Sequence, residues 1–158
     1  YLKKLPIIGN IIVATVLGSV FLFVELATRG NILYTIEPFL LASLLSFPRE
    51  LIKDIEDITG DKTHDLRTFP IEFGIGKSVF IFKISLVVLI VYSVYLFFFN
   101  NSFGARYFAT LILLIHVPLL YCFFITTFKK NIDYSLISTI LKVCTCFGLF
   151  VILCGRVT

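Results

Sequence analysis

At 158 residues, 58% hydrophobic and 15% charged, the chain departs from a soluble domain of its length, where about 45–50% of residues are apolar and about 25% charged. Its mean hydropathy of +0.99 is that of a membrane protein. The net charge of +4 sits in polar breaks between apolar runs, with no basic stripe elsewhere, which argues against a nucleic-acid partner and for loops facing anionic lipid or substrate.

The chain opens on Tyr1-Leu2-Lys3-Lys4, without Met and without the charged, apolar and cleavage regions of a signal peptide. This start reads as a loop between helices, so an N-terminal part is expected to precede it. A bilayer core needs roughly 20 apolar residues per helix, and five runs answer to that: about 7–28, 33–48, 78–99, 106–128 and 134–155. The second is short and is expected to continue as one helix through polar residues to about Asp57, with Pro38 in its first turn behind Thr35 as a possible cap. The expected fold is an all-α polytopic membrane bundle. The breaks are Arg29-Gly30-Asn31, the long stretch 49–77, Asn100-Asn101-Ser102 and Lys129-Lys130-Asn131.

With the N-terminal end on the cytoplasmic side, Lys3, Lys4, Arg49, Lys53, Lys62, Arg67, Lys77, Lys129 and Lys130 share that side, against Arg29, Arg106 and Arg156 opposite. That bias follows the positive-inside rule and puts the stretch 49–77 in the cytoplasm. Inside the spans, Cys122, Cys144, Cys146 and Cys154 read as buried small hydrophobes. Cys144 and Cys146, two apart, leave a helix on different faces. His116, before Pro118, is expected to bond a neighbouring helix, and Lys142 to snorkel. Glu25 and Glu37 are expected to be structural. Asn10, early in the first helix, is a candidate for the pocket or for an interhelical bond.

Seven of the ten acidic residues fall between Arg49 and Lys77. Taken as a helix, Glu50, Asp54, Asp57 and Asp61 step by four, three and four and share a narrow sector of one face, with Leu51, Ile55 and Ile58 on another. Like charges so placed repel, so cations must neutralise them. Arg49, Lys53, Lys62 and Arg67 could do so in a structural island. Alternatively a divalent ion does: magnesium takes one or two carboxylates with phosphate oxygens and water, and the basic residues would bind the remaining phosphate oxygens. The spacing favours the metal.

The run Arg49-Glu50-Leu51-Ile52-Lys53-Asp54-Ile55-Glu56-Asp57-Ile58-Thr59-Gly60-Asp61-Lys62, then Arg67-Thr68-Phe69-Pro70-Ile71 and Gly74, resembles the second aspartate-rich motif of the UbiA prenyltransferase superfamily. Lys3-Lys4-Leu5-Pro6 with Gly9-Asn10 resembles the start of that family's fifth helix. The resemblance implies helices five to nine of nine, in an enzyme of the plasma membrane with its catalytic loop on the cytoplasmic side. It implies Mg²⁺ held by Asp54, Asp57 and Asp61. A prenyl diphosphate would be gripped by Lys53, Lys62 and Arg67, with Lys4 a weaker candidate. The wording is most like the branch that transfers a geranylgeranyl group to a glyceryl phosphate in ether-lipid synthesis; aromatic-acceptor branches carry similar text. The family's first motif, N-x-x-x-D-x-x-x-D, has no counterpart, because no Asp precedes Asp54. The resemblance therefore implies half a site, inactive alone. A transporter would place its carboxylates mid-membrane, a scaffold gives no reason for the Asp spacing, and a soluble prenyl diphosphate synthase is at odds with five spans.

Overall fold

The computed structural model describes residues 6–29, 35–64, 66–99, 103–129 and 131–155. The elements in chain order are α1 (Ile8–Arg29), α2 (Ile36–Glu56), α3 (Ile58–Thr63), α4 (Phe69–Phe73) and α5 (Ile75–Phe99). They are followed by α6 (Ala105–Leu111), a π turn (Ile112–His116), α7 (Val117–Phe128) and α8 (Tyr134–Gly155). α6, the π turn and α7 run on as a single rod, and among the described residues this rod, α1, α5 and α8 are the four helices long and apolar enough to cross a membrane. The chain is an all-α integral membrane bundle.

α2 is the fifth long helix and the most polar, carrying Glu37, Arg49, Glu50, Lys53, Asp54 and Glu56. It runs through the charged residues as expected because Leu41, Leu45, Leu51, Ile52 and Ile55 keep one buried stripe at helical spacing. It packs against α1, α5 and α8, making it the axis of the bundle. Pro38 sits in its first turn; Thr35 holds the cap position, but its side chain makes no capping bond. Pro48, lower down, is buried and cannot donate to the Leu44 carbonyl, a loss that packed neighbours absorb in a membrane helix.

Close approach of α1 to α2 depends on Gly18. A Cβ there would fall on Ser43 Oγ and lie 2.7 Å from the Phe39 carbonyl oxygen. In lipid, helices associate by packing rather than by water exclusion, so small residues mark their closest contacts. Hydroxyls within the spans bond their own helices, as Ser85 to Phe82 O at 2.7 Å and Thr126 to Cys122 O at 2.9 Å.

The π turn has a local cause. Pro118 has no N–H for the Leu114 carbonyl, and the ladder shifts, the Val117 N–H reaching back to Ile112 O. The Cys144 thiol points at the same Leu114 carbonyl, 3.9 Å away. Cys122 and Cys144 are buried as expected. Cys146 is exposed and Cys154 half-buried, which corrects the expectation for those two: two residues along a helix turn the side chain to the opposite face. Large apolar side chains such as Phe23, Phe80, Phe98 and Phe128 stand on the outside of the bundle, where lipid is the natural solvent.

Candidate functional site

The acidic stretch 49–77 is folded rather than an open loop: it comprises the end of α2, α3, α4 and the start of α5. Fully buried Leu51 and Ile52 fix the last turns of α2. The helix then breaks at Asp57 (φ −87°, ψ 4°), and α3 continues at a changed angle of the backbone. Thr59, Gly60 and Thr63 are weak helix formers, and a short six-residue helix is all they sustain. Its C-terminal end turns into α4, and Gly74 then joins α4 to α5 with φ +87° and ψ 157°, a conformation open essentially to glycine alone. That explains the glycine in the motif.

The break redistributes the carboxylates. Asp54 is half-buried, Asp57 exposed and Asp61 buried at 6% exposure. The aspartates expected on one narrow face thus sit at three different degrees of exposure, along two helices and the break between them rather than on one helix. Among the described residues, no three His, Cys, Asp or Glu side chains stand close enough to hold a metal together. The carboxylate oxygens are the donors that a hard divalent ion takes, and one or two of them suffice for magnesium when phosphate and water complete its shell. The residues fit magnesium in donor chemistry, though not as a ready-made protein cage.

Of the basic candidates, Lys53, Lys62 and Arg67 are exposed beside the aspartates, while Lys4 lies outside the described residues. Asn10 is brought to the site: its Nδ2 donates to Asp54 Oδ2 at 2.9 Å, across 44 residues of sequence. The interhelical reading of Asn10 is the one found, with its bond at the aspartates; Asn10 does not line the cavity beneath them.

Below the aspartates lies an apolar cavity of about 560 Å³, walled by α1, α2, α5, the α6 rod and α8. Leu17, Phe21, Leu41 and Leu45 are typical of its lining, and among the described residues Arg49 is its only basic wall residue. Arg49 Nη1 pairs with Glu50 Oε1 at 3.0 Å. Its Nε–H is buried with no partner among the described residues. A buried guanidinium N–H left unbonded costs about 1–3 kcal/mol, so an oxygen arriving there would be held. The other end of the cavity is lined by Glu25, Thr35, Ser93 and Tyr107. Glu25, expected to be structural, is thus also a wall residue, 7% exposed. From Thr35 to Arg49 is fourteen residues of α2, or about 21 Å at 1.5 Å per residue.

His116 meets its expectation of bonding a neighbouring helix. Its Nε2 is 2.8 Å from Ser93 Oγ, which is itself 2.9 Å from Ile90 O, and the Tyr107 hydroxyl donates to Ser93 O at 3.3 Å. Sequence reasoning found neither Arg49 as a wall residue nor this Tyr107–Ser93–His116 group. The former was signalled only by the motif; of the latter only the interhelical bond of His116 was expected, its partners lying 14 and 23 residues apart.

The family model described as the UbiA prenyltransferase family matches residues 1–136. A digeranylgeranylglyceryl phosphate synthase from Methanospirillum hungatei is 36% identical over 114 residues, 72% of this chain and 40% of that protein. One from Methanococcus maripaludis is 49% identical over 85 residues, 54% of this chain and 30% of that protein. The chain thus spans well under half the length of these relatives. A solved structure from work on digeranylgeranylglyceryl phosphate synthase in membranes superposes with a TM-score of 0.76 at 29% identity, covering 94% of this chain and 52% of that one.

Proposed function

The chain belongs to the UbiA prenyltransferase family, and from that premise we propose that it forms the diphosphate-binding half of an enzyme transferring a geranylgeranyl group from its diphosphate to a glyceryl phosphate in ether-lipid synthesis. The observation that carries the reading is the shape of the site: an apolar cavity of about 560 Å³ with Arg49 at the end nearest Asp54. A molecule with a long apolar tail and a phosphorylated head fits that gradient, and the similar enzymes named above are digeranylgeranylglyceryl phosphate synthases.

In this reading Asp54, Asp57 and Asp61 would hold Mg²⁺ at the diphosphate, one or two of them directly and the rest through water. Bound there, magnesium would neutralise charge on the departing diphosphate. Asn10 orients the Asp54 carboxylate through its Nδ2–H. Lys53, Lys62 and Arg67 grip the outer phosphate oxygens, as does Lys4, and Arg49 takes the innermost through its free Nε–H. The apolar wall keeps water from the allylic carbon as its bond to oxygen breaks, so that the acceptor hydroxyl captures it rather than water. The basic residues flanking the aspartates support a head site on the cytoplasmic side of the plasma membrane.

The experiment is an assay of the full-length protein in liposomes, with labelled geranylgeranyl diphosphate and, separately, geranylgeranylglyceryl phosphate or an aromatic acid as acceptor. Mg²⁺-dependent transfer to the glyceryl phosphate, lost in Asp61→Ala, is the expected result. Transfer to the aromatic acid alone would move the assignment to quinone or tocopherol chemistry. Transfer to neither, with diphosphate binding indifferent to Mg²⁺ and to Asp61→Ala, would overturn the reading and leave the aspartates structural.

A further inference from the structure

The end of the cavity remote from the aspartates is lined by a side chain held more firmly than packing alone requires. Tyr107, two residues into α6, is fully buried and lines the cavity. Its ring lies against Phe103, centroids 4.5 Å apart, and its hydroxyl donates to the Ser93 carbonyl on α5 at 3.3 Å. Ser93 is fixed in turn. Its hydroxyl has one proton, and the Ile90 carbonyl at 2.9 Å can only accept it. With that proton given to Ile90, Ser93 Oγ accepts from the His116 tautomer protonated at Nε2, 2.8 Å away. The π turn that ends at His116 belongs to the same rod as Tyr107, so the chain of bonds closes a loop from α6 to α5 and back. The ring cannot swing aside without breaking a buried bond, which costs about 1–3 kcal/mol for the group left unsatisfied.

We propose that Tyr107 limits the length of isoprenoid tail that the cavity admits, and that the limit falls at four isoprene units. This rests on the prenyl-transfer reading above and deepens it by naming the residue that selects the donor. The magnitudes agree. With C–C bonds of about 1.5 Å, a tail of sixteen main-chain carbons extends to roughly 19 Å. The cavity wall along α2 offers about 21 Å between Thr35 and Arg49. A fifth unit adds roughly 5 Å and runs into the Tyr107 ring.

The test uses the full-length protein in liposomes with donors of three, four and five isoprene units, reading kcat/KM for each. Wild type should favour four over five. Tyr107→Ala should raise the five-to-four ratio by roughly tenfold or more, the scale on which apolar pockets discriminate added hydrocarbon. Tyr107→Phe keeps the ring but loses the hydroxyl that anchors it to Ser93 O, and should raise the ratio by less than Tyr107→Ala does. Gly148→Leu supplies the opposite sign: Gly148 lines the cavity, and a Cβ there meets only Leu45 Cδ2 at 3.6 Å, so the added side chain fills the void and should favour three units over four. An unchanged five-to-four ratio in an active Tyr107→Ala protein would overturn the proposal. If that variant is inactive with every donor, an unchanged three-to-four ratio in Gly148→Leu would overturn it instead. Failure of wild type to transfer from any donor would remove the prenyl-transfer reading and this inference together.

Discussion

Replacing Asn10 by Ala removes the bond from Nδ2 to Asp54 Oδ2, 2.9 Å long and partly buried. A hydrogen bond to a charged group contributes about 1.5–3 kcal/mol; partial exposure puts this one at the lower end. About 1.4 kcal/mol is a factor of ten in rate, so kcat/KM for the prenyl diphosphate should fall roughly tenfold. Because Asn10 acts through Asp54, the Mg²⁺ concentration giving half-maximal rate should rise as well. Asn10→Asp keeps the shape but sets a second carboxylate against Asp54; with no magnesium between them the repulsion at that separation is roughly 6 kcal/mol at an effective dielectric of 20. Its loss should exceed that of Asn10→Ala at low Mg²⁺ and narrow as Mg²⁺ is raised. The assay is initial-rate transfer in liposomes across a Mg²⁺ titration, paired with thermal unfolding in detergent. Should both variants melt earlier while retaining wild-type kcat/KM and Mg²⁺ midpoint, the bond is a staple between α1 and α2, and the positioning argument is refuted.

Gly18→Val should loosen α1 from α2, since the new carbons collide with Ser43 and the Phe39 carbonyl; overpacking of this kind costs about 1–3 kcal/mol, read as a lower melting temperature. Gly74→Ala meets no atom within 4 Å, so its cost is backbone strain at φ +87°, about 1–3 kcal/mol, again visible by thermal unfolding. Arg49→Gln should raise KM for the prenyl diphosphate roughly tenfold by removing a charged hydrogen bond, and Arg49→Lys should restore little of it, because an ammonium has no Nε–H fork; an unchanged KM in both would remove Arg49 from the head site.

The spans were legible because a bilayer demands long apolar runs, and α1, α5, the α6 rod and α8 supply them without ambiguity. α2 was legible through its charges because Leu51 and Ile55 hold the helical period. What failed was continuity past Asp57. The acidic spacing argued one face on one helix, but the helix breaks at Asp57, and Asp54, Asp57 and Asp61 end with different degrees of burial. Cys146 could have been read correctly: the spacing that separates it from Cys144 by face already required one of the pair to look outward. The cavity was not legible at all. Its wall is drawn from five helices, each contributing apolar residues indistinguishable from those that face lipid, and only a fold decides which are which.

Arg49 and Asp54 are five residues apart on α2, roughly 7.5 Å along its axis, and the same helix walls the cavity down to Thr35. One rigid rod thus carries both the grip on the head and the scale against which the tail is measured. A tail stopped by Tyr107 fixes how far its diphosphate rises along that rod. Too long a tail lifts the diphosphate past Arg49 and Asp54, and misplacement by about 1 Å can cost a hundredfold in rate. A donor one unit too long should therefore lose kcat as well as affinity in wild type, and Tyr107→Ala should recover kcat by letting the head sink back into register. A penalty confined to KM would mean that tail and head are read separately, and that α2 is a wall rather than a ruler.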